Sequence, residues 1–378
     1  MAILVNIRHR WKGVHWHSLP DLRESGCGPS CCLFTLSPVP ETEEAQRTAV
    51  DLDRDYVREV FRAMLRARLL ESKLSSLYKA GKIVGGVYLG KGQEAVSASL
   101  GASLIKGRDI FAPLIRDQAG RTAFGEPLID CTRTYLGSVL GPMKGRDGNI
   151  HRGRPLDGMP AMISHLGAAV SVVGGMLIAR RLKGELAGVV GATCVGDGAT
   201  STGAFHEGIN MAAVERLPMV VIVGNNQFAY STPTDRQFAC EDLLDRAKGY
   251  GVGGHSVDGT DLLACTKVIG NAVKLAREGN GPQMVVARLL RLSGHGEHDD
   301  GSYVPPVLKD SQLGRDCIET GIVQMIESGF GTVEEIERWK REFTDEVQAA
   351  VAQAQQEPTP DPWDEDWRAL STQTGGGI

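Results

Sequence analysis

Apolar residues along the chain follow two rhythms. Short unbroken apolar runs at 109–115, 189–195, 219–223 and 284–290 each read as a strand buried on both faces. Over 94–104, 168–184, 203–215 and 260–278, apolar residues recur at helical spacing instead. Strand-type runs alternating with helix-type runs predict an α/β fold, a doubly wound parallel sheet with helices on both faces. Upstream, Val57, Val60, Phe61, Met64, Leu65 and Leu69 share one helix face, with Arg58, Arg62 and Arg66 opposite. Downstream, Thr332 and Glu335 have the spacing of a capping box. Ile336, Trp339, Phe343, Val347 and Val351 then give one apolar stripe, and Pro358 follows the helix it predicts.

The ends of the chain break this pattern. Residues 1–50 mix Arg, His and Trp without periodicity, and their first acidic residue is Asp21. They read as an irregular or flexible extension; an organelle transit segment and a misassigned start are open alternatives. Residues 51–357 are expected to form one domain, with 358–378 as a tail.

Composition adds exclusions. The chain has 378 residues, 42% of them apolar, which is enough for a large core. Net charge is −5 and the pI is near 6, so no basic face is expected and nucleic acid is not an expected partner. No apolar run is long enough to span a bilayer, and no membrane partner is expected. The eight cysteines are scattered and read as reduced thiols of a cytosol-like compartment. Cys27, Cys31 and Cys32 cluster, but no second ligand pair follows at a spacing that suits zinc.

The candidate chemistry lies between Val195 and Pro233. Gly196-Asp197-Gly198-Ala199 follows one predicted strand, and Asn225-Asn226 ends the next. A carboxylate and an amide oxygen at neighbouring strand ends suit a hard divalent ion that carries a diphosphate. Gly198 permits close approach to an anion, Ser201 or Thr202 is a plausible cap, and helix-start amides would face a phosphate. The rival phosphate motifs, GxGxxG and GxxxxGK[ST], are not met. The pattern resembles the thiamine diphosphate-binding motif. In that reading Mg2+ takes the Asp197 carboxylate, the Asn226 amide oxygen and the Phe228 carbonyl.

From about 55 to 356 the chain resembles the alpha subunit of the decarboxylating first component of 2-oxo acid dehydrogenase complexes. That group includes pyruvate, branched-chain 2-oxo acid and acetoin dehydrogenases. The resemblance also rests on 81–95 (GKIVGGVYLGKGQEA), 115–120 (IRDQAG), 145–153 (GRDGNIHRG), 163–175 and 290–303 (LRLSGHGEHDDGSY). It implies Arg116 on the cofactor diphosphate, Ser164 and Leu166 at its aminopyrimidine, and His295 as the catalytic imidazole, with Arg291 just upstream. It implies oxidative decarboxylation of a 2-oxo acid, pyruvate by default, and acyl transfer to a lipoyl group. Acetoin, a branched-chain 2-oxo acid, or an inert cofactor-binding role are the alternatives.

The activating carboxylate for the cofactor belongs to a different domain in such enzymes, and Glu94 reads as structural. A beta chain is therefore expected to complete the site, in an assembly of two alpha and two beta chains docked on a lipoyl-bearing acyltransferase. The expected location is the cytoplasm, or the mitochondrial matrix if the source is eukaryotic.

Three positions depart from the family pattern. Ile115 stands where a Tyr is usual, and Tyr88 where many pyruvate-type relatives have His. Gly296 stands where regulated relatives carry a phosphorylatable Ser, so no kinase switch is expected there. His298 has no clear counterpart. With His295, Glu297, Asp299 and Asp300 it reads as part of a solvated loop rather than a metal cluster.

Overall fold

A computed structural model describes residues 52–148 and 151–364. The expectation for residues 1–50, and that for residues 365–378 of the tail, lie outside that range.

Five parallel strands form the central sheet: β1 (Ile110–Ala112), β2 (Gly191–Gly196), β3 (Met219–Asn225), β6 (Gly253–Asp258) and β7 (Gln283–Arg288), in the order β1-β2-β3-β7-β6. A two-stranded ribbon, β4 (Phe228–Ala229) with β5 (Thr232–Pro233), follows β3. The helices are α1 (Arg54–Lys79), α2 (Glu94–Ser103), α3 (Gln118–Phe124), α4 (Leu128–Tyr135), α5 (Ala168–Leu182), α6 (Gly203–Val214), α7 (Asp245–Tyr250), α8 (Leu262–Arg277), α9 (Pro306–Lys309), α10 (Cys317–Glu327) and α11 (Val333–Gln356).

Strand alternation divides the core. Val220, Ile222, Val285 and Ala287 point to one face and pack with α1, α2 and α8. Met219, Val221, Val223, Met284 and Val286 point to the other and pack with α5 and α6. Both faces are covered, so the apolar runs needed no polar alternation.

Two sequence expectations change. The first strand ends at Ala112 rather than 115, because Pro113 has no N–H for the ladder. β6 was not anticipated: its residues, GGHSVD, alternate in exposure at the sheet edge and lack an apolar run.

The arginine face of α1, opposite its apolar face, packs against α11. Arg58 and Arg62 lie over the Trp339 ring at 4.9 and 5.1 Å, and Arg66 lies 4.4 Å from the Phe343 centroid. Arg58 and Arg66 also pair with Glu335 and Glu346 of α11. Each such stack contributes roughly 0.5–1 kcal/mol, so the face clasps the last helix. That helix starts in the expected capping box, with both Thr332–Glu335 bonds formed.

The connections β1–β2 and β2–β3 run through α5 and α6 on one face. The β6–β7 connection runs through α8 on the other. The side therefore changes between β3 and β7, and a crevice opens at the carboxyl ends of these strands. On the face that carries α5 and α6, α5 exposes Val172, Gly175, Ala179 and Leu182 at helical spacing, with Leu182, at the helix end away from the cleft, 82% exposed. Val214 of α6 is 73% exposed.

Candidate active site

The crevice is a cleft of ≈ 350 Å³. Its lining includes Gly196, Asp197, Gly198 and Ala199 from the end of β2, and Asn226, Phe228 and Tyr230 from the end of β3 and the ribbon. Arg291 and His295 enter after β7, Ile115 and Arg116 after β1, Leu166 before α5, and Gln93 before α2. Of the residues expected at the site, only Ser164 is absent from the lining, and it is exposed.

The strand-end half is set by the ladder. Gly196 pairs with Gly224, which brings Asp197 and Asn226 to the same level. Asp197 is 1% exposed. Its Oδ1 accepts from Gly198 N at 2.8 Å, and its Oδ2 from Gln237 Nε2 at 3.5 Å. Burial pushes the carboxyl up to about 6, although the Gly198 bond and Arg291 pull it down. This carboxylate lacks a close cation. Asn226 Nδ2 donates to Gln93 Oε1 at 3.2 Å, and Asn226 Oδ1 accepts from Phe228 N at 3.4 Å.

A Cβ on Gly198 would stand 2.4 Å from the Ala229 Cβ, so only glycine lets the ribbon close over this turn. Residues Gly198–Ser201 form a 3-10 turn, and α6 begins later, capped by Thr202 Oγ1 on Phe205 N. The amides nearest Asp197 thus belong to that turn rather than to the α-helix start.

The donor set fits Mg2+ in type: one carboxylate, one amide oxygen and one backbone carbonyl, all hard oxygens. Among the described residues no cluster of three or more His, Cys, Asp or Glu could hold a metal by itself. An ion on Asp197 would need further oxygens from its ligand, as a diphosphate supplies.

The loop half is cationic and held by hydrogen bonds. Arg116 Nη1 donates to Leu89 O at 2.9 Å, and Nη2 to His295 O at 2.5 Å. Arg291 Nη2 donates to Tyr303 Oη at 2.5 Å and Tyr230 O at 2.9 Å. Neither arginine forms an ion pair with a carboxylate among the described residues. Burial, then Arg291, lowers Arg116 to about 10. Burial, then Arg116 and Arg291, lowers His295 to about 4. The imidazole is therefore neutral at pH 7 and able to accept a proton. Two arginines that face a cleft without a carboxylate partner among the described residues suit an anion there.

The His295 loop is braced by Asp299, which accepts from His295 N at 2.5 Å and Tyr303 Oη at 2.7 Å. Against the cost of burial, those bonds and one from Gly301 N hold Asp299 down to about 2. The His295 ring lies between Tyr230, 4.5 Å away, and Tyr88, 5.3 Å away, both edge-on. Ile115 presents only alkyl surface to the cleft. Tyr88 also meets the His298 ring, at 6.2 Å.

Gln93, Gln237, Tyr230 and Tyr303 were not singled out from the sequence, and Asp299 was read only as part of a solvated loop. Gln93, Asp299 and Tyr303 lie inside the stretches 81–95 and 290–303, the one signal that could have pointed to them.

Residues 62–363 match the family model described as dehydrogenase E1 component. The chain is 32% identical over 317 residues to the alpha subunit of acetoin:2,6-dichlorophenolindophenol oxidoreductase of Cupriavidus necator, covering 84% of this chain and 94% of that one. It is 30% identical over 328 residues to the pyruvate dehydrogenase E1 component subunit alpha of Rhizobium meliloti, covering 86% and 93%. It is 33% identical over 256 residues to the 2-oxoisovalerate dehydrogenase subunit alpha of Bacillus subtilis, covering 67% and 76%. With a cleft at the strand ends that unites the residues expected to hold a diphosphate and its ion, the chain belongs to the dehydrogenase E1 component family, whose members are thiamine diphosphate-dependent oxidoreductases.

Proposed function

We propose that the chain is the alpha subunit of a 2-oxo acid dehydrogenase that binds thiamine diphosphate with Mg2+ and decarboxylates a 2-oxo acid, passing the acyl group to a lipoyl-bearing acyltransferase. The observation that carries this reading is the convergence of Asp197, Asn226, Arg116, Arg291 and His295 on one cleft from four separate segments.

Asp197, Asn226 and the Phe228 carbonyl would hold the ion, and Arg116 would take a diphosphate oxygen. Leu166 would support the aminopyrimidine; Ser164, exposed and outside the lining, keeps that role only if the partner chain brings it inward. The cofactor, when bound, supplies an electron sink for decarboxylation. His295, neutral at pH 7, would then accept or return a proton at the substrate oxygen or steady the carboxylate, with Arg291 holding its loop. The low dielectric of the apolar floor strengthens each of these interactions.

Among the described residues, the cleft lining holds no carboxylate besides Asp197 and Asp117. Asp117 is engaged by Leu114 N at 2.7 Å. The acid that activates the cofactor would come from a beta chain, in an assembly of two alpha and two beta chains. The exposed apolar residues of α5, a helix that begins two residues after Leu166 of the cleft, support such a neighbour. Pyruvate is the default substrate; relatives named for acetoin and for 2-oxoisovalerate make those the alternatives.

The test is co-expression with the beta chain, titration with thiamine diphosphate and Mg2+, and assay of 2-oxo acids and acetoin with an artificial electron acceptor. Saturable binding with turnover is expected. Binding without turnover would identify an inert partner, and full turnover by the isolated alpha chain would remove the split site.

A further inference from the structure

Residues 82–93 cross the back of the cleft without regular secondary structure. The second half of this strap, 87–93, is mostly buried, and its N–H groups need partners from other elements. One face of α1 holds this segment, directly at Gly90 and indirectly through Glu94 and Glu297. Glu71 Oε1 accepts from Gly90 N at 2.9 Å. One turn on, Ser75 Oγ donates to Glu297 Oε2 at 2.6 Å, and Lys79 Nζ lies 3.3 Å from the same oxygen. One turn back, Arg68 pairs with Glu94 at 2.5 Å, and Glu94 Oε2 accepts from Gly92 N at 2.7 Å. Residues 68, 71, 75 and 79 recur at the spacing that puts side chains on one helix face.

The strap and the His295 loop are joined to each other as well. Glu297 N donates to Val87 O at 2.9 Å, and Leu292 N to Lys91 O at 3.2 Å. Leu89 O takes Arg116 Nη1, whose Nη2 holds His295 O. At the centre of this web the fit is tight: a Cβ on Gly90 would stand 2.1 Å from Arg116 O and 3.3 Å from Glu71 Oε1. The Gly90 amide has one place to go, and Glu71 fills it. Glu71 is 4% exposed, and its second oxygen has no hydrogen-bond partner.

We propose that Glu71 is a positioning residue for the reaction: by holding Gly90 it fixes the strap whose carbonyls set Arg116 and, through Arg116 and Glu297, the His295 loop. This rests on the functional reading above, in which Arg116 meets the diphosphate. The residue itself touches neither cofactor nor substrate. Burial, then Glu94, pushes its carboxyl up to about 8, so it is a neutral acid at pH 7, a form that an amide side chain copies.

The test uses the assembled alpha–beta complex with Glu71→Ala, Glu71→Gln and, as an independent cut of the same web, Ser75→Ala. Thiamine diphosphate binding is measured calorimetrically at fixed Mg2+, and kcat and KM are measured for the best 2-oxo acid. In Glu71→Ala, cofactor affinity and kcat should each fall about tenfold or more in protein that remains assembled, because a buried amide loses its acceptor and Arg116 loses its seat. Glu71→Gln should restore both to within about threefold, since the amide oxygen keeps the Gly90 bond. Ser75→Ala should lower kcat more than cofactor affinity, because it frees the His295 loop and leaves Gly90 held. Unchanged affinity and kcat in assembled Glu71→Ala, or equal losses in Gln and Ala, would overturn the role. If Glu71→Ala fails to assemble, Glu71→Gln decides: a tenfold or greater loss of cofactor affinity and kcat in the assembled Gln complex overturns the role. A wild-type complex that binds no thiamine diphosphate refutes the functional reading instead.

Discussion

The two halves of the cleft are built by different means. Asp197 and Asn226 stand at the ends of neighbouring strands, and six successive paired residues of β2 and β3 fix their separation. Arg116 and His295 stand on irregular segments, and their poses depend on side-chain bonds from α1, the strap and Asp299. The first half is rigid because the sheet is rigid. The second is only as fixed as its weakest tether, and regions held by few exposed bonds open first. A site that must seat a cofactor and also admit and release substrates gains from that division.

The contrast can be broken most sharply at Asp197. Asp197→Asn should lower affinity for Mg2+–thiamine diphosphate by at least about a hundredfold, since it removes the one charged ligand. Its thermal midpoint without cofactor should hold or rise, because burial already opposes the charge of this carboxyl. A calorimetric titration beside a melting curve checks both, and loss of binding with a collapsed midpoint would contradict the ladder-fixed picture.

Next in size is the loop half. Arg116→Gln removes the charge that, after burial, contributes most to lowering His295. The His295 imidazole should then titrate above its present value of about 4, which NMR of labelled protein would read. A value unchanged by the substitution would separate the two residues electrostatically. A smaller effect is expected at the seam, where Gln93 of the strap accepts from Asn226 of the strand end. Gln93→Leu should weaken cofactor binding roughly five- to tenfold by freeing the Asn226 amide to rotate.

The last effect is read in stability rather than in binding. Glu71 is raised to about 8 in the folded chain, against an ordinary value of 4.5. Between those values the unfolded chain ionises this group and the folded one does not. Its contribution to stability is complete below pH 4.5 and declines by about 1.4 kcal/mol per pH unit until pH 8. Denaturation of Glu71→Gln at several pH values should lack that decline relative to wild type. Parallel curves would show that Glu71 ionises in place.

The same division governs what could be read from the sequence. β2 and β3 carry unbroken apolar runs ending in Gly196-Asp197 and Asn225-Asn226, so fold and strand-end chemistry were both visible locally. The loop half is made by partners far apart in the chain, such as Glu71 with Gly90 and Ser75 with Glu297, and no local period marks such pairs. Its visible members, Arg116 and His295, emerged through family resemblance rather than pattern. Gln93 and Gln237 stayed hidden because an uncharged amide in a loop carries no signal of its own. What covers the arginine face of α1 was not legible, because a helical period reports sidedness, not which neighbour covers a side. α11 does, through Trp339 and Phe343.

The exposed stripe of Val172, Ala179, Leu182 and Val214 bears on how the chain must be made. A surface of this kind in water promotes self-association. Yield of well-behaved protein is thus tied to the supply of whatever covers it. Where a partner chain is that cover, synthesis in unequal amounts would leave the surplus chain open to aggregation.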